Sequence, residues 1–199
     1  MRYAPDHKEK TRERLLAVAA RALKRDGAGA LGVAGVMAEA GLTHGAFYAH
    51  FPSREALIAE ALDAALAEMK VRYLSVVEGK PPARALSDYI DFYVSRRHRD
   101  HPGDGCILTA LGSDIGRLSD PARDAFARGH AQLARALTNL LDASAADDLE
   151  GLALSMTAEM VGAVTLARAT ADPVHSDRLL AASRAALKAR AGVAKEPVQ

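Results

Sequence analysis

The sequence contains a single cysteine in 199 residues, so an intrachain disulfide is excluded and a cysteine-based zinc site is implausible. Long hydrophobic runs are also scarce. The longest, Leu152 to Ala167, is interrupted by Glu159 and is too short and too broken by small polar residues to span a bilayer comfortably. Charged residues occupy the N-terminus, where a secretory signal would need an apolar segment. These absences predict a soluble cytoplasmic protein with no membrane partner.

Strand-length runs of β-branched and aromatic residues are lacking, and aromatic residues make up only 5% of the chain. Apolar residues account for 49%, much of it alanine, and they recur at helical spacing. The sequence therefore predicts an all-α fold. Gly27-Ala-Gly-Ala-Leu-Gly32 matches a dinucleotide-binding pattern, but it follows a basic helix rather than a strand. We interpret it as a helix stop and a loop, and we expect no cofactor.

The charges are balanced overall but unevenly distributed. The chain has 26 lysines and arginines against 25 acidic residues, whereas residues 1–25 hold eight basic and three acidic residues. The first helix, expected from about Lys8 to Arg25, is therefore basic. A local excess of this kind attracts phosphates, although charged helix faces are usually only solvated.

Residues 33–58 carry the pattern around which the rest of the chain is organised. A first short helix has an apolar face, and Gly41 supplies the left-handed residue that ends it. Thr43 is expected to cap a second short helix after a tight turn, its hydroxyl accepting a backbone N–H. A helix, a glycine-containing turn and a second helix form the arrangement of a DNA-reading helix-turn-helix.

The second helix of this pattern has a buried side and an exposed side. Phe47 and Phe51 lie four residues apart and are expected to be buried together, which leaves Tyr48 and His50 pointing outward. Pro52 follows as a helix stop, and Ser53 is expected to cap the next helix.

The stretch Val36-Met-Ala-Glu-Ala-Gly-Leu-Thr-His-Gly-Ala-Phe-Tyr-Ala-His-Phe-Pro-Ser-Arg-Glu-Ala-Leu57 resembles the signature of the TetR/AcrR family of transcriptional regulators. Two features depart from it: Met37 replaces a small residue, and Ala30-Leu31-Gly32 lacks a Ser or Thr cap. The resemblance implies an N-terminal arm and a three-helix helix-turn-helix domain in residues 1–52. It implies a helical-bundle effector-binding and dimerisation domain in residues 53–199. A repressor that binds a palindromic double-stranded DNA operator is the expected function.

In a helix-turn-helix, the start of the second helix faces base edges in the major groove. The candidate base readers are Thr43, His44 and Ala46, with Gly45 permitting close approach. The resemblance implies that Tyr48, His50 and Arg54 contact backbone phosphates. Half-buried packing is the alternative for Tyr48 and His50. We expect further phosphate or minor-groove contacts from the arm at Lys8, Lys10 and Arg12. The alternative is that these residues only form a solvated helix face.

The remaining chain is expected to form helices over about 53–77, 83–98, 106–117, 121–143, 147–170 and up to about 190. The last two carry apolar and small residues that allow close helix approach. By resemblance they form a homodimer interface, with packing inside one subunit as the alternative. The apolar stripe of the last helix is expected at Leu179, Leu180, Ala182, Ala186 and Leu187.

The effector site is less clearly marked. Aromatic, methionine and acidic side chains suitable for lining a pocket are Tyr89, Phe92, Tyr93, Met156, Glu159 and Met160. For each of them individually, a place in the core is the preferred interpretation.

Cys106 is expected near a helix start, where the dipole stabilises a thiolate. Residues 105–121 resemble, more loosely, a TetR subgroup that includes repressors of electrophile- and aldehyde-detoxifying reductases. The effector is therefore expected to be a small molecule or an electrophile. A buried apolar cysteine is an equal alternative.

Other functions have weaker support. A hydrolase or transferase with Cys106 as nucleophile would need a base, and only His98 and His101 lie nearby in sequence. These two histidines lack the further ligands of a metal site. We therefore expect neither an enzyme nor a metalloprotein. A DNA-binding scaffold without a ligand also remains possible.

Overall fold

The computed structural model describes residues 5–194, and within that range it contains nine α-helices and no strand, which confirms the all-α prediction. The helices are α1 (Pro5–Ala30), α2 (Val33–Glu39), α3 (Arg54–Val77), α4 (Pro82–Tyr93), α5 (Arg96–Asp100), α6 (Ile107–Leu111), α7 (Asp120–Thr138), α8 (Leu149–Ala169) and α9 (Pro173–Arg190). Three 3₁₀ helices span His44–Ala49, Pro102–Asp104 and Ile115–Arg117. The start of the predicted N-terminal arm, residues 1–4, lies outside the described residues.

Side-chain caps begin three of the long helices, and the one at Ser53 was predicted. Ser53 Oγ accepts from the N–H of Ala56 at 3.1 Å at the start of α3. Asp148 accepts from Gly151 at 2.8 Å before α8, and Asp172 from Val174 at 2.9 Å before α9. Each cap satisfies an N–H that has no partner inside the helix. The first helix is interrupted at Gly27, at φ 80°, where the sequence predicted its end.

Several predicted helices are shorter than expected. The helix predicted over 83–98 is two helices, because Val94 leaves helical geometry and Ser95 caps α5 by accepting from the N–H of His98 at 3.1 Å. The helix predicted over 106–117 is the five-residue α6 followed by a separate 3₁₀ helix. The helix predicted to reach residue 143 ends at Thr138.

The chain divides into two compact units. The first contains the chain up to Met69 together with Pro102–Ala127. Within it, α1 packs against α2, α6 and the 3₁₀ helix Pro102–Asp104. The approach to that 3₁₀ helix is close, since a Cβ added at Gly103 would lie 3.3 Å from Cγ of Arg21. The fully buried large side chains of the first unit include Leu15, Leu23, Met37, Phe47, Phe51, Leu57 and Ile58.

The second unit contains Lys70–His101 and the chain from Arg128 onward. Helices α8 and α9 form its main pair, and α4 and α5 pack against them. Hydrogen bonds to backbone carbonyls fix these contacts. Arg184 of α9 donates to Val94 at 2.7 Å, and Arg168 of α8 donates to His98 at 2.6 Å.

These compact units do not follow the predicted boundary between residues 52 and 53. Helix α3 begins in the first unit and continues into the second, and Pro102–Ala127 belongs to the first unit although it follows α5 in the chain. The functional division at residue 52 stays a prediction.

Helix α8 is long and apolar enough to cross a bilayer by length and composition alone. One such helix is weak evidence, because the core helix of a helical bundle passes the same test. One side of α8 is buried, at Ala153, Met156, Met160, Ala163, Val164 and Ala167.

Candidate nucleic-acid interface

The turn after α2 is built on Gly41, the left-handed residue that the sequence predicted at this position. Gly41 has φ 70°, its N–H donates to Ala38 at 3.0 Å, and the N–H of Leu42 donates to Met37 at 2.8 Å. These two bonds form a Schellman motif, which satisfies the last carbonyls of α2. The motif ends α2 abruptly and directs the chain into the following helix.

The helix after this turn is a 3₁₀ helix, His44–Ala49, and not the α-helix that the pattern predicted. Thr43 occupies the N-cap position, but its hydroxyl accepts no capping hydrogen bond, so the predicted cap is wrong. The side chain is instead exposed, as are those of the next two residues, His44 and Gly45, while Ala46 is half-buried. The predicted base readers thus lie together at the accessible start of this helix.

Two buried phenylalanines anchor the 3₁₀ helix to the first unit. The rings of Phe47 and Phe51 stack with their centroids 5.8 Å apart, and both are almost fully buried. Tyr48, between them in sequence, is 69% exposed and contacts the Phe47 ring edge-on at 5.2 Å. The predicted division into a buried and an exposed side is confirmed for these three residues. The phenol of Tyr48 is accessible for donation to an external acceptor.

His50 is half-buried rather than fully outward. Its Nδ1 is buried without a hydrogen-bond partner among the described residues. Burial lowers the pKa of the ring, and the positive charges of Lys8 and Arg12 lower it further. The ring is therefore neutral at pH 7. Because a buried N–H without an acceptor is rarer than an unsatisfied acceptor, this environment favours the tautomer with the proton on Nε2.

Arg54, predicted as a phosphate contact, already has partners within the chain. Its Nε donates to the carbonyl of Leu31 at 2.8 Å, and a second nitrogen donates to that of Ala28. Both acceptors lie beyond the break in α1, and the carbonyl of Ala28 also accepts from the N–H of Leu31 at 3.4 Å. The structure therefore gives Arg54 a positioning role, since it joins the start of α3 to the end of α1. No local sequence pattern indicates this contact.

The three basic residues predicted at the arm differ in their surroundings. Arg12 pairs with Glu60 of α3, and its guanidinium lies 4.8 Å from the centroid of Phe51. It thus packs against the anchor of the 3₁₀ helix. The side chains of Lys8 and Lys10 are exposed on α1.

A further contact that sequence reasoning missed also ties α1 to α3. Lys24, whose side chain is only 4% exposed, donates to Glu68 at 2.8 Å. A buried ammonium is tolerated only with such a partner. With Arg12 and Arg54, it fixes α1 against α3 at three points.

Cys106 lies in the same unit as these helices. It occupies the N-cap position of α6 and is 6% exposed, with its Sγ 3.4 Å from Sδ of Met69. A thioether cannot act as a general base, so this contact does not support a nucleophilic enzyme. The buried setting fits the interpretation of Cys106 as a core thiol.

Most of the residues predicted to line an effector pocket lie in the core of the second unit. Tyr89, Tyr93, Met156 and Met160 are buried, and Tyr89 contacts Tyr93 at 6.0 Å between centroids. Phe92 is exposed and stacks on Tyr89, while Glu159 forms an ion pair with Arg190 of α9. The first four side chains thus have the surroundings of core residues.

Two family models match this chain. The model of bacterial regulatory proteins of the tetR family covers residues 15–61, which include the turn and the 3₁₀ helix. The model of the tetracyclin repressor-like C-terminal domain covers residues 82–183, half of the chain.

Solved structures of the same fold cover nearly the whole chain. The reduced form of NemR from E. coli is 22% identical with a TM-score of 0.76, and the match covers 90% of this chain and 97% of that one. A TetR transcriptional regulator from Chloroflexus aurantiacus is 24% identical with a TM-score of 0.73, covering 90% and 94%. A TetR family regulator from Cytophaga hutchinsonii is 19% identical with a TM-score of 0.78, covering 96% and 98%.

A search of the curated proteins finds no significant match. The two family models nevertheless cover both parts of the chain, and the first of them includes the helix-turn-helix. The protein therefore belongs to the TetR family of bacterial transcriptional regulators, with a helix-turn-helix DNA-binding region followed by a helical C-terminal domain.

Proposed function

We propose that this regulator is a cytoplasmic repressor that binds a palindromic operator as a homodimer and is released by a small-molecule or electrophile effector. The observation that carries the proposal is the accessible start of the 3₁₀ helix, at Thr43, His44 and Gly45, on an anchor of two buried phenylalanines. A rigid anchor under exposed polar and small residues is what reading base edges requires.

Each exposed residue has a separate role in this proposal. His44 donates or accepts a hydrogen bond at a base edge, and Thr43 donates to a base or a phosphate. Gly45 keeps the backbone close to the groove floor, and the methyl group of Ala46 suits that of thymine. Together they supply the sequence-dependent contacts.

The phosphate contacts fix the position of the helix-turn-helix along the DNA. The exposed phenol of Tyr48 donates to a phosphate oxygen, and His50 donates through Nε2. Lys8 and Lys10 add sequence-independent attraction from α1. Arg12 and Arg54 act indirectly, because their guanidinium groups hold α1, the 3₁₀ helix and α3 together.

The dimer is proposed to form through α8 and α9. Leu154 and Leu166 of α8 are 40% and 58% exposed, and α9 exposes a run of small residues at Ala182, Ala185, Ala186 and Ala189. Two apolar faces that no other described part of the chain covers favour a symmetric helix interface. Leu180 and Leu187 are buried and belong to the packing inside one subunit, which corrects the predicted stripe at these two positions.

A dimer also accounts for the palindrome. A single helix-turn-helix reads few base pairs, whereas two readers related by a twofold axis read half-sites about 34 Å apart. An effector releases the operator only if it binds the released conformation more tightly than the DNA-bound one. A change of a few ångströms in the distance between the two helix-turn-helix regions misaligns both of them with their half-sites at once.

Effector sensing through Cys106 is supported by its place in the first unit. Helix α6, which follows Cys106, packs against α1. Arg12 of α1 in turn contacts Phe51, which anchors the 3₁₀ helix. Adduct formation on a thiol with so little free space would displace α6 and disturb α1. With a single cysteine, sulfenic acid or an intersubunit bond are the other available modifications.

The test is selection of DNA sequences by the purified protein, repeated after treatment with a thiol-reactive electrophile and with a Cys106→Ser variant. We expect a palindrome whose binding is lost on treatment only when Cys106 is present. A palindrome indifferent to the reagent would contradict the electrophile effector and leave the DNA-binding proposal intact. Selection of no preferred sequence would contradict the operator-binding function itself.

A reporter downstream of the selected palindrome tests the direction of regulation. Expression of the protein should silence the reporter, since a repressor excludes transcription by occupying its operator. Stimulation instead of silencing would make the protein an activator and contradict the repressor assignment.

A further inference from the structure

A strongly cationic groove lies within the second unit, between the junction of α4 with α5 and one side of α9. It is open to solvent, with a volume of about 630 Å³. That volume is within the usual range for small-molecule sites, roughly 300–1,000 Å³. The lining consists of Ser95, Arg96, Arg97, Asp177, Arg178, Leu180, Ala181 and Arg184.

The lining contains four arginines and one carboxylate. Asp177 pairs with Arg96 and also with Arg99, which approaches at 2.8 Å. Burial opposes ionisation of this carboxyl, but the hydrogen bonds from Arg99 and Arg96 outweigh it and lower its pKa. A single acid shared by two arginines leaves the groove with excess positive charge.

The other three arginines are available to a ligand to different degrees. Among the described residues, neither Arg97 nor Arg178 has an ion pair, and both side chains are exposed. Arg184 donates one hydrogen bond, to the carbonyl of Val94 at 2.7 Å, which fixes its guanidinium at the groove wall. Since arginine has five N–H donors, this bond leaves most of its capacity unused.

We propose that this groove binds a small organic anion, with its carboxylate or phosphate held by Arg97, Arg178 and Arg184. Planar guanidinium groups match both oxyanions through paired hydrogen bonds. The exposed side chain of Ala181 gives part of the lining an apolar surface, which suits a ligand with an attached hydrocarbon portion.

The groove borders the proposed dimer face along α9. Asp177, Leu180 and Arg184 follow helical spacing on one side of the helix, whereas Arg178 shares helical spacing with Ala182 and Ala185 of the proposed dimer face. The oligomeric state of the Arg178 variant therefore belongs to the test of the groove.

The experiment measures binding of phenyl phosphate and phenylacetate by isothermal titration at constant ionic strength, with benzyl alcohol as the uncharged probe. The test variant is the double substitution Arg97→Gln and Arg178→Gln, which breaks no ion pair among the described residues. The matched control is Arg135→Gln, an exposed arginine of α7 in the same unit that does not line the groove. Circular dichroism confirms that each variant is folded.

We expect saturable binding of at least one anion and none of benzyl alcohol. The double variant should bind the anion about tenfold or more weakly, since two charge-assisted hydrogen bonds are lost, while Arg135→Gln binds like the parent. Preference for phenyl phosphate or phenylacetate would identify the oxyanion.

Three results would overturn the proposal. The first is an absence of saturable binding to the parent protein, and the second is equal weakening in the double variant and in Arg135→Gln. The third is a double variant that dissociates into monomers or loses DNA affinity, which would assign these arginines to a subunit or DNA contact. Selection of an operator by the parent protein is measured separately and does not depend on the groove.

Discussion

Tyr48 and His44 are neighbours on the 3₁₀ helix, but their exposed polar groups have different proposed targets. Tyr48→Phe removes one phosphate contact, so it should weaken binding to operator and random DNA alike, by roughly tenfold. His44→Ala should change base preference in addition, at a cost of about 1–3 kcal/mol at the affected position. Affinities for the operator, a substituted operator and random DNA check this division. Equal effects of both variants on all three DNAs would contradict it.

Gly45 is predicted to be needed for DNA approach and not for folding. A Cβ added there meets no atom within 4 Å. Gly45→Ala should therefore leave the free energy of unfolding unchanged or raise it by less than about 1 kcal/mol. Operator affinity should fall several-fold. Gly116, in another 3₁₀ helix of the same unit, has the same open surroundings and supplies the control Gly116→Ala. Unchanged operator affinity in Gly45→Ala would exclude close approach at this position.

His98 makes the stability of the second unit depend on pH. Burial lowers the pKa of His98 to about 4, although its hydrogen bond with the carbonyl of Tyr93 at 2.7 Å acts in the opposite direction. In the unfolded chain the imidazole titrates near its usual value of about 6.5. Its neutral form thus contributes stability that is fully present above pH 6.5 and is lost as the pH falls toward 4. The loss should approach roughly 3 kcal/mol.

Urea denaturation between pH 4 and pH 7 measures this dependence. His98→Gln retains an amide donor for the Tyr93 carbonyl but does not titrate, so its stability should fall less steeply across the interval. His101→Gln, at an exposed position, should follow the parent. Parallel curves for the parent and His98→Gln would show that His98 is not the responsible group.

Residues whose role depends on their sequence neighbours were predictable, and residues whose role depends on distant partners were not. The positive φ of Gly41 and the cap at Ser53 follow from short-range hydrogen bonding. The partner of Lys24 lies 44 positions away, and the acceptors of Arg54 lie 23 and 26 positions away. No local pattern carries that information, so the resemblance alone suggested DNA contact for Arg54.

At the scale of elements, helix types and breaks were harder to predict than helix positions. Apolar spacing predicted one helix over residues 83–98, yet the chain breaks at Val94 and Ser95 begins α5. Serine inside an apolar periodic segment is compatible with both outcomes, and tertiary contacts such as that of Arg184 with the Val94 carbonyl favour the break. The 3₁₀ geometry of His44–Ala49 likewise has no distinct sequence signature.

Arg54 stabilises the junction of two elements. Arg54→Ala removes the guanidinium donor from the carbonyls of Ala28 and Leu31 and should lower the free energy of unfolding by roughly 1–3 kcal/mol. Arg54→Lys should recover only part of it, because a single ammonium cannot reproduce the guanidinium fork. Glu55→Gln, at the exposed neighbouring position, should change the stability by no more than about 0.5 kcal/mol.

Chemical denaturation measures these differences, and operator binding below the unfolding transition separates stability from contact. A full stability effect with near-parental affinity would support the positioning role. Parental stability combined with weakened DNA binding would instead make Arg54 a phosphate contact.

At the scale of the whole molecule, the sequence predicted the fold class and the order of the helices but not how the chain divides. The resemblance assigns the segment Pro102–Ala127 to the C-terminal domain, and that functional assignment stays a prediction. By its contacts the segment lies in the compact unit that contains the helix-turn-helix. Contact between α6 and α1 joins residues about 90 positions apart in the sequence. Periodicity describes which face of a helix is buried, not which distant helix covers it.

The last prediction concerns the proposed dimer, in which two subunits bind one operator together. Leu154 of α8 is 40% exposed in the single chain, and Leu74 of α3 is exposed to the same degree, 42%. If α8 forms the interface, Leu154→Glu buries a charge against an apolar partner and should dissociate the dimer, whereas Leu74→Glu should not. Operator affinity of Leu154→Glu should then fall by on the order of a hundredfold, because linked binding to two half-sites is lost. Affinity for one isolated half-site should stay unchanged.

Sedimentation velocity and DNA titrations on both variants measure these quantities. A dimeric Leu154→Glu protein with parental operator affinity would exclude this face of α8 from the interface, and a monomeric protein with parental operator affinity would show that operator recognition does not need the dimer.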